Sequence, residues 1–407
     1  MMSIMKTAPG RRRLAQTAAA LLLSGNMGAA LPHGHMPPAN PGQAVASRPA
    51  KPTLAIGATV DAQGRIWLAR VENRVLLVSH SADEGKHFSA PVAVNAEPEN
   101  IGAEGENRPK IAVTRNGTLH LTWTLLLPQP YTGEIRYARS TDGGRTYSAP
   151  ITINDDKRLT SHRFDSLVSD GGDRLAIVWL DGRDRDAAKE KGDAFAGASV
   201  YFARSDDDGA SFGANRKLTD HTCECCRTAL TWTADGPVAL WRNVYGTHTR
   251  DFALAYLDSG KLQRLAEDEW NIEACPHHGG GIATGGDGTL HAVWYTQGKN
   301  RQGLFYRQVD GDRMSAPMAF GNPQAQAGHA TMAADGQTVL ITWREFDGQA
   351  YGAMAMLSRD GGLSWNEPRR IATTEDAADY PIPLIHSGRM HVVWNTLREG
   401  VRIMEVE

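Results

Sequence analysis

An octapeptide of the form Ser-x-Asp-x-Gly-x-x-aromatic occurs four times in this 407-residue chain, each time between two strand-like segments. The acidic side chain can accept hydrogen bonds from amides of its own turn, and the glycine permits a positive φ. The aromatic side chain can then fold back onto the sheet, so each octapeptide predicts a tight turn between antiparallel strands. The four copies occupy residues 81–88, 140–147, 205–212 and 358–365.

A longer repeat surrounds the octapeptides. In the second copy, four strands of an antiparallel meander are predicted at residues 110–114, 119–127, 134–140 and 151–154. The same order starts seven times along the chain, and the predicted second strand usually ends in tryptophan. The repeats start at Thr53, Lys110, Asp165, Thr228, Gly280, Ala330 and Pro381, and the tryptophans are Trp67, Trp123, Trp179, Trp241, Trp294, Trp343 and Trp394.

The repeat predicts an all-β fold, because each unit is one small antiparallel sheet that must bury its faces against neighbouring units. We expect a β-propeller of four-stranded antiparallel blades, with seven blades favoured and six as the alternative, since a closed ring leaves only short sheet edges. The seventh repeat ends after its third strand, at residues 401–406. A stretch near residues 44–47 is expected to supply its outer strand and close the ring.

The octapeptide resembles the Asp-box of the sialidase (neuraminidase) superfamily, and the repeats that carry it cover residues 52–407. The resemblance implies a sialidase-like β-propeller. Asp-boxes also occur in propellers that are not sialidases, and a fold by itself does not define a function. Function must therefore be argued from the side chains that the repeats bring together.

The N-terminus differs from the repeats. Three arginines at positions 11–13 precede an apolar stretch at 14–23 and small residues at 28–30. This order is typical of a bacterial export signal, of either the ordinary or the twin-arginine kind, and predicts a periplasmic or secreted protein. The predicted domains are a signal peptide at 1–30, a Pro-rich flexible linker at 31–50 and the propeller at 51–407.

Composition narrows the class of partner. The formal net charge is −3, and the predicted mature chain contains no long apolar run. The sequence therefore lacks the basic surface that is typical of nucleic-acid binding, and it predicts no membrane span after the signal. We expect a monomer whose partner is a small anionic ligand or a glycan.

The two ends of a meander carry different turns, because alternate turns of antiparallel strands lie at opposite ends. The octapeptides share one end, and the links between repeats share the other with long loops such as residues 181–197. Residues just before the first strands should therefore converge on the mouth of the channel, which is the end formed by these links. They are Arg108, His162, Arg163, Cys223, Cys225, Cys226, Arg227, Cys275, His277, His278, His329, Asp379 and Tyr380.

Two clusters in this set open consecutive repeats and contain every cysteine of the chain. Thiolate and imidazole suit copper or zinc, so the two clusters predict a transition-metal site. The alternative is disulfide bonding without a metal, which an exported chain with an even number of cysteines favours, and spacing alone does not decide. The predicted metal ligands are Cys223, Cys225, Cys226, Cys275, His277 and His278.

The sialidase resemblance implies a second set of roles at the same mouth. Members of that superfamily bind the sialic acid carboxylate with three arginines, use a tyrosine activated by a glutamate as nucleophile, and use an aspartate as acid/base. The positions implied here are Arg108, Arg163 and Arg227, then Tyr380 with Glu273 or Glu345 as activator, and Asp165 or Asp181 as acid. Asn107-Arg108-Pro109 stands where the superfamily has Phe/Tyr-Arg-Ile-Pro. The alternative for these residues is an ion pair between repeats or packing in the channel.

Three functions follow from these residues. The first is an exported sialidase-like propeller with a Cys/His copper or zinc site at the mouth, where the metal could also support redox chemistry. The second is a glycoside hydrolase of the exo-sialidase type, with the arginine cluster and the tyrosine nucleophile. The third is a non-catalytic propeller that binds a glycan or a protein.

Overall fold

The fold consists almost entirely of antiparallel β-sheet, as the sequence predicts. A computed structural model describes residues 53–407, so the predicted signal, the predicted linker and the outer strand near residues 44–47 lie outside the described residues. Within the described range, each sheet is built from strands that follow one another in the chain. No helix in that range has the length and apolar character needed to cross a membrane.

Four meanders form the first part of the described chain. The first contains β1 (Gly57–Val60), β2 (Ile66–Glu72), β3 (Val75–Ser81) and β4 (Val92–Ala93), and the second contains β5 (Lys110–Val113), β6 (Leu119–Leu126), β7 (Gly133–Ser140) and β8 (Ile151–Thr152). The third contains β9 (His162–Ser169), β10 (Leu175–Asp181), β11 (Ala198–Ser205) and β12 (Arg216–Thr222), and the fourth contains β13 (Ala229–Thr233), β14 (Gly236–Tyr245), β15 (Thr249–Tyr256) and β16 (Leu262–Arg264). A single pair, Thr222 with Asn243, joins the last two into one sheet.

Three further meanders complete the described chain. The fifth contains β17 (Gly281–Thr284), β18 (Leu290–Gln297), β19 (Gln302–Asp310), β20 (Arg313–Met314) and β21 (Met318–Phe320), and a short 3-10 helix follows at Pro323–Ala325. The sixth contains β22 (Gly328–Asp335), β23 (Thr338–Phe346), β24 (Tyr351–Ser358) and β25 (Arg369–Thr374), and the seventh contains β26 (Ile382–His386), β27 (Arg389–Thr396) and β28 (Gly400–Val406). In the described residues the seventh meander therefore has three strands.

The long loop expected at residues 181–197 contains a helix, α1 (Arg183–Lys191). Asp184 and Asp186 lie in its first turn, and Lys189 and Lys191 lie in its last turn. Acidic side chains stabilise the positive N-terminal end of a helix dipole, and basic side chains stabilise the other end. The alternating charges of this segment therefore support a helix rather than an irregular loop.

The first strands of the meanders lie beside one another in chain order. Each contacts the first strand of the next meander, and β26 contacts β1. Residues of all seven first strands, or of the links just before them, line a central cavity of about 310 Å³. The links between meanders are thus brought to one end of this cavity.

A tryptophan on each second strand anchors the hydrophobic core. All seven are at most 1% exposed. A buried indole needs a hydrogen-bond acceptor, and each Nε1 here donates to a nearby oxygen. The acceptors, in chain order, are the side chains of Asp61, Glu99, Asp181, Asn243, Asp268 and Glu345, and the carbonyl of Asp379.

The octapeptides form closed, hydrogen-bonded turns. In the second copy, Ser140 Oγ donates to Asp142 Oδ1 at 2.8 Å and accepts from the amide of Gly144 at 2.9 Å. Asp142 Oδ1 accepts from the amides of Arg145 and Thr146, both at 3.0 Å. The other three copies repeat the serine bonds and the aspartate bond to the amide four residues on.

The aromatic residue of the octapeptide reaches the preceding meander as well as its own sheet. Phe212 meets Tyr137 edge-on with ring centres 4.8 Å apart, and Trp365 meets Tyr306 in the same way at 4.8 Å. Each of these octapeptides therefore packs two neighbouring meanders together.

Replacing Ser140 by alanine is expected to lower the free energy of unfolding by about 1–3 kcal/mol, because the buried amide of Gly144 loses its acceptor. Chemical denaturation measures the change. Thr141→Ala in the same turn is the control, because Thr141 is exposed, and its effect should stay within about 0.5 kcal/mol. Equal losses in the two variants would contradict the role of Ser140.

Candidate functional site

A cavity of about 420 Å³ opens at the mouth of the channel, and we call it the mouth cavity. Links before four of the first strands contribute to its wall, so the predicted convergence of these links is observed. Arg108 and Arg227 line the central cavity instead, and Tyr380 lines both cavities. The polar side chains and tyrosine of the mouth cavity are Glu104, Glu106, Asn107, Arg163, His277, His329, Arg344, Asp379 and Tyr380.

Two β-bulges turn side chains into the mouth cavity. The register of β9 against β10 shifts where Phe164 has a φ of 59°, and that of β22 against β23 shifts where His329 has a φ of 55°. A bulge leaves a residue outside the ladder and re-aims the side chains next to it. Arg163, Phe164 and His329 consequently line the cavity although they belong to strands.

Glu106, in the link before β5, lies at the centre of the site and is 3% exposed. Its carboxylate accepts hydrogen bonds from Arg227 Nη1 at 2.8 and 2.9 Å and from the amide of Gly279 at 2.6 Å. His329 Nδ1 lies 2.8 Å from the same carboxylate. Burial by itself would raise the pKa of Glu106, but Arg227 and His329 hold that pKa below its ordinary value. Glu106 is therefore an ionised, buried acid.

Tyr380 is held between two arginines. Arg108 Cζ is 3.5 Å from the centre of its ring, and Arg227 Cζ is 4.5 Å from it. Arg108 in turn forms a bidentate ion pair with Asp379, at 2.9 and 2.6 Å. Burial raises the pKa of the Tyr380 hydroxyl even though both arginines act to lower it. Tyr380 is thus a neutral phenol at neutral pH.

A third basic side chain, Lys110, lines the central cavity beside Arg108 and Arg227. Lys110 Nζ donates to the carbonyl of Arg108 at 2.7 Å. Burial, together with the charges of Arg108 and Arg227, lowers the pKa of Lys110 to about 8. Three basic side chains therefore share this part of the channel with the carboxylates of Asp379, Glu106 and Asp165.

The four cysteines form one cluster beside the mouth, which we call the thiol cluster. Cys223 Sγ is 3.6 Å from the sulfur atoms of both Cys225 and Cys226. Cys225, Cys275 and His277 have ligand atoms that lie within 4.8 Å of one another. None of the four cysteines is disulfide-bonded in the structure, and only Cys275 is partly exposed. Neighbouring meanders thus meet as predicted, and Cys225 belongs to both groups of ligands.

Cys223 accepts hydrogen bonds from its neighbouring thiols and from Arg250. Arg250 Nη1 donates to Cys223 Sγ at 2.9 Å. Hydrogen bonds from Cys225 and Cys226, with the charge of Arg250, lower the pKa of Cys223 well below that of an ordinary thiol. Hydrogen bonding to Cys223 raises the pKa of Cys225, and burial raises that of Cys226. A hydrogen bond from Cys225 lowers the pKa of Cys275 as well. Cys223 and Cys275 therefore favour the thiolate, the form that binds metals and reacts.

The structure does not place His278 with the predicted metal ligands. His277 has a φ of 54°, so the chain turns there, and the two consecutive imidazoles separate. The ring of His278 stacks on Tyr295 at 4.1 Å and on His329 at 4.4 Å. Only His277 therefore accompanies the sulfur atoms, and His278 supports the wall of the mouth cavity.

The mouth cavity contains Glu106 and not the predicted Glu273. Glu273 is exposed on the loop that leads to Cys275, and it is not among the residues that line the mouth cavity. The charges of Glu106 and Asp379 both act to raise the pKa of the Tyr380 hydroxyl. The resemblance implied Glu273 or Glu345 as the activator, whereas Glu106 comes from the link before the second meander.

The other predicted acids, Glu345, Asp181 and Asp165, accept hydrogen bonds from buried side chains. Glu345 and Asp181 accept the indole hydrogen bonds of the core tryptophans, each at 2.8 Å. Asp165 is fully buried and accepts from Thr122 Oγ1 at 2.5 Å. His162 is also fully buried, with Nδ1 2.8 Å from the carbonyl of Gly133, so it is part of the wall between meanders.

The arginines predicted for a carboxylate differ in what they already bind. Arg108 and Arg227 are both paired with buried carboxylates. Arg163 stacks on Phe164 at 4.8 Å, and its Nε is buried without a hydrogen-bond partner among the described residues. Burial lowers the pKa of Arg163, although Glu104 acts against this. Arg163 and Arg108 each keep a buried Nε without a hydrogen-bond partner among the described residues, and of these two only Arg163 lines the mouth cavity.

Sequence reasoning missed Glu106 and Arg250. Glu106 precedes Arg108 by only two residues, so a wider window before each first strand would have included it. Arg250 follows a hairpin and reaches Cys223 from 27 positions away, because β14 and β15 pair through Val244 and Arg250. No local pattern marks that contact.

Known proteins resemble this chain in fold rather than in sequence. No protein-family model and no curated protein matches the chain. Solved structures do match. An ulvan lyase of polysaccharide lyase family PL25 is 11% identical, with a TM-score of 0.52 over 87% of this chain and 94% of that chain. The α-L-arabinofuranosidase Arb93A of Fusarium graminearum is 14% identical, with a TM-score of 0.51 over 79% and 95%.

A third solved structure, a protein of unknown function from Dyadobacter fermentans, is 16% identical, with a TM-score of 0.51 over 75% of this chain and 94% of that one. At such identities the likeness shows the fold alone. The chain therefore has a β-propeller-like fold that is also found in a lyase and a glycosidase.

Replacing Glu106 by alanine is expected to lower the free energy of unfolding by about 3–5 kcal/mol, because Arg227 is left as a buried charge without its partner. Chemical denaturation measures the loss. Glu97→Ala, in the exposed part of the same link, is the matched control and should change stability by less than about 0.5 kcal/mol. A small effect of both substitutions would show that Arg227 does not depend on Glu106.

Proposed function

We propose that the protein is an exported, seven-bladed, sialidase-like propeller that binds copper or zinc at its mouth. The observation that carries the proposal is the thiol cluster, in which four cysteines and His277 from two neighbouring meanders bring their ligand atoms together. Its role is metal binding, with redox chemistry on that metal as a further role. The predicted signal at residues 1–30 supports a periplasmic or secreted site of action.

The distances in the thiol cluster fit a shared metal. Two thiolates that lie about 2.3 Å from one tetrahedral zinc ion are roughly 3.8 Å apart. The sulfur of Cys223 is 3.6 Å from those of Cys225 and Cys226, which requires little movement. Sulfur and imidazole ligands also suit copper(I), so the donor set fits both metals.

The electrostatics of the thiol cluster support the same function. A metal-bound thiol must lose its proton, and Arg250 already favours the thiolate of Cys223. A bound metal would displace the protons of Cys225 and Cys226, which would pass to solvent. The partly exposed Cys275 and the exposed His277 lie on the open side, where a metal ion can enter.

Seven blades are supported by the first strands and by the core. The seven first strands follow one another around the central cavity, from β1 to β26 and back to β1. Each of the seven meanders also contributes one fully buried tryptophan from its second strand. A six-bladed ring would leave one of these equivalent units without a place.

We expect the mature protein, purified without chelators, to contain near-stoichiometric copper or zinc and four titratable thiols after denaturation. Mass spectrometry of metals and thiol titration measure both quantities. Cys225→Ser should lose most of the bound metal, because Cys225 belongs to both groups of ligands. His386→Ala, at the end of β26, is the control and should keep it. Absence of metal together with absence of free thiols would contradict the proposal and make the cysteines disulfides.

A second candidate function is a carbohydrate-active enzyme that works in the mouth cavity. The observation that favours it is Tyr380, a neutral phenol held between Arg108 and Arg227 on the wall of a cavity of about 420 Å³. The similar solved structures include an ulvan lyase and an arabinofuranosidase. A sialic acid triad is less well supported than glycan binding in general, because two of the three arginines are already paired with carboxylates.

Tyr380→Phe is expected to lower turnover at least about 100-fold on the glycan that the wild type cleaves, since the phenol is the lost catalytic group and its ring remains. The substrates to compare are a sialoside, ulvan and an arabinofuranoside, with release of reducing ends as the readout. Tyr256→Phe, outside the cavity, is the control. Failure of the wild type to cleave any of the three would contradict this second function and leave the metal proposal untouched.

A further inference from the structure

His329 and Glu106 form a pair that the functions above do not use. Glu106 comes from the link before the second meander and His329 from the bulge that opens the sixth, 223 positions later. His329 Nδ1 lies 2.8 Å from Glu106 Oε1, and the imidazole is 17% exposed, on the wall of the mouth cavity. The pair therefore joins a buried carboxylate to a histidine that a ligand can reach.

The neighbours of Glu106 fix the tautomer of His329. Arg227 and the amide of Gly279 donate to the carboxylate, so Glu106 is ionised and can only accept. The Nδ1 of His329 must then carry the proton of the shared hydrogen bond. In the neutral ring this leaves the lone pair on Nε2, the nitrogen on the far side of the ring from Glu106.

Ring contacts fix the orientation of the same imidazole. His329 lies between His278, stacked at 4.4 Å, and Tyr380, parallel to it at 5.9 Å with an interplanar angle of 4°. Burial lowers the pKa of His329, helped by Arg344 and Arg227, although Glu106 acts to raise it. His329 is therefore neutral at neutral pH, which is the form that accepts a proton.

We propose that His329 is the general base of the mouth cavity and that Glu106 is its positioning residue. This inference rests on the second candidate function and names its ligand as an acidic sugar, whose carboxylate meets the guanidinium of Arg163 on the wall of the mouth cavity. His329 Nε2 takes a proton from water as the water oxygen forms a bond to the anomeric carbon. The glycosidic C–O bond breaks, and the leaving oxygen takes the proton of the neutral Tyr380 phenol, which regains a proton from solvent, so the step is a hydrolysis without redox change.

The substitution His329→Asn removes the proposed base and keeps the hydrogen bond to Glu106. The side-chain nitrogen of asparagine takes the place of Nδ1 and can still donate to Glu106, whereas nothing takes the place of Nε2. Asparagine also tolerates the positive φ of 55° at this position. We expect kcat on the cleaved glycan to fall about 10²–10⁴-fold with KM and metal content unchanged, and added imidazole to restore part of it. His386→Asn is the control.

The tautomer gives a test that needs no substrate. With ¹⁵N-labelled histidine, NMR should show His329 protonated on Nδ1 and free on Nε2 at neutral pH. In Glu106→Gln the amide can donate as well as accept, so both tautomers should appear. A wild-type ring protonated on Nε2 overturns the proposal.

Two kinetic outcomes also overturn the inference. One is a His329→Asn variant with the kcat of the wild type, which would leave the second function standing with another base. The other is a wild type that cleaves no acidic glycan. Cleavage of the arabinofuranoside alone would leave the second function standing, and cleavage of none of the three substrates would remove it as well. Intact cleavage in Tyr256→Phe and loss in Tyr380→Phe distinguish the two cases.

Discussion

The buried ion pair between Glu106 and Arg227 organises the mouth of this protein. Both side chains are nearly inaccessible, and they come from the links before the second and fourth meanders. The pair fixes one face of Tyr380 through Arg227 and fixes His329 through Glu106. Burying a carboxylate and a guanidinium away from water is costly unless the two charges are paired. The two links must therefore meet whenever the chain is folded.

The repeat made most of the fold predictable. The second unit was expected at residues 110–114, 119–127, 134–140 and 151–154, and the strands are Lys110–Val113, Leu119–Leu126, Gly133–Ser140 and Ile151–Thr152. Local chemistry explains this agreement, since turn residues and alternating apolar residues act within a few positions of one another. The helix at Arg183–Lys191 was missed because its charges also suit a solvated loop.

The site was less predictable because its contacts are distant in sequence. The meeting of the cysteine segments could be predicted, since consecutive repeats lie side by side. Glu106 with Arg227 spans 121 positions, and the separation of His277 from His278 depends on one backbone angle. The acids assigned to catalysis by resemblance show the same limit: Glu345 and Asp181 hold core tryptophans, a role that only packing reveals.

The segments that carry the sulfur ligands also carry the donors to Glu106. Cys226 is followed directly by Arg227, and Cys275 and His277 are followed by Gly279, whose amide lies 2.6 Å from Glu106. A ligand that orders these sulfur atoms must also order those donors, because fewer than five residues separate them. Any effect of a bound metal on affinity at the mouth cavity would then be matched by an equal effect of the mouth ligand on metal affinity. A metal in the thiol cluster would thus help to hold in place the links that form the mouth cavity.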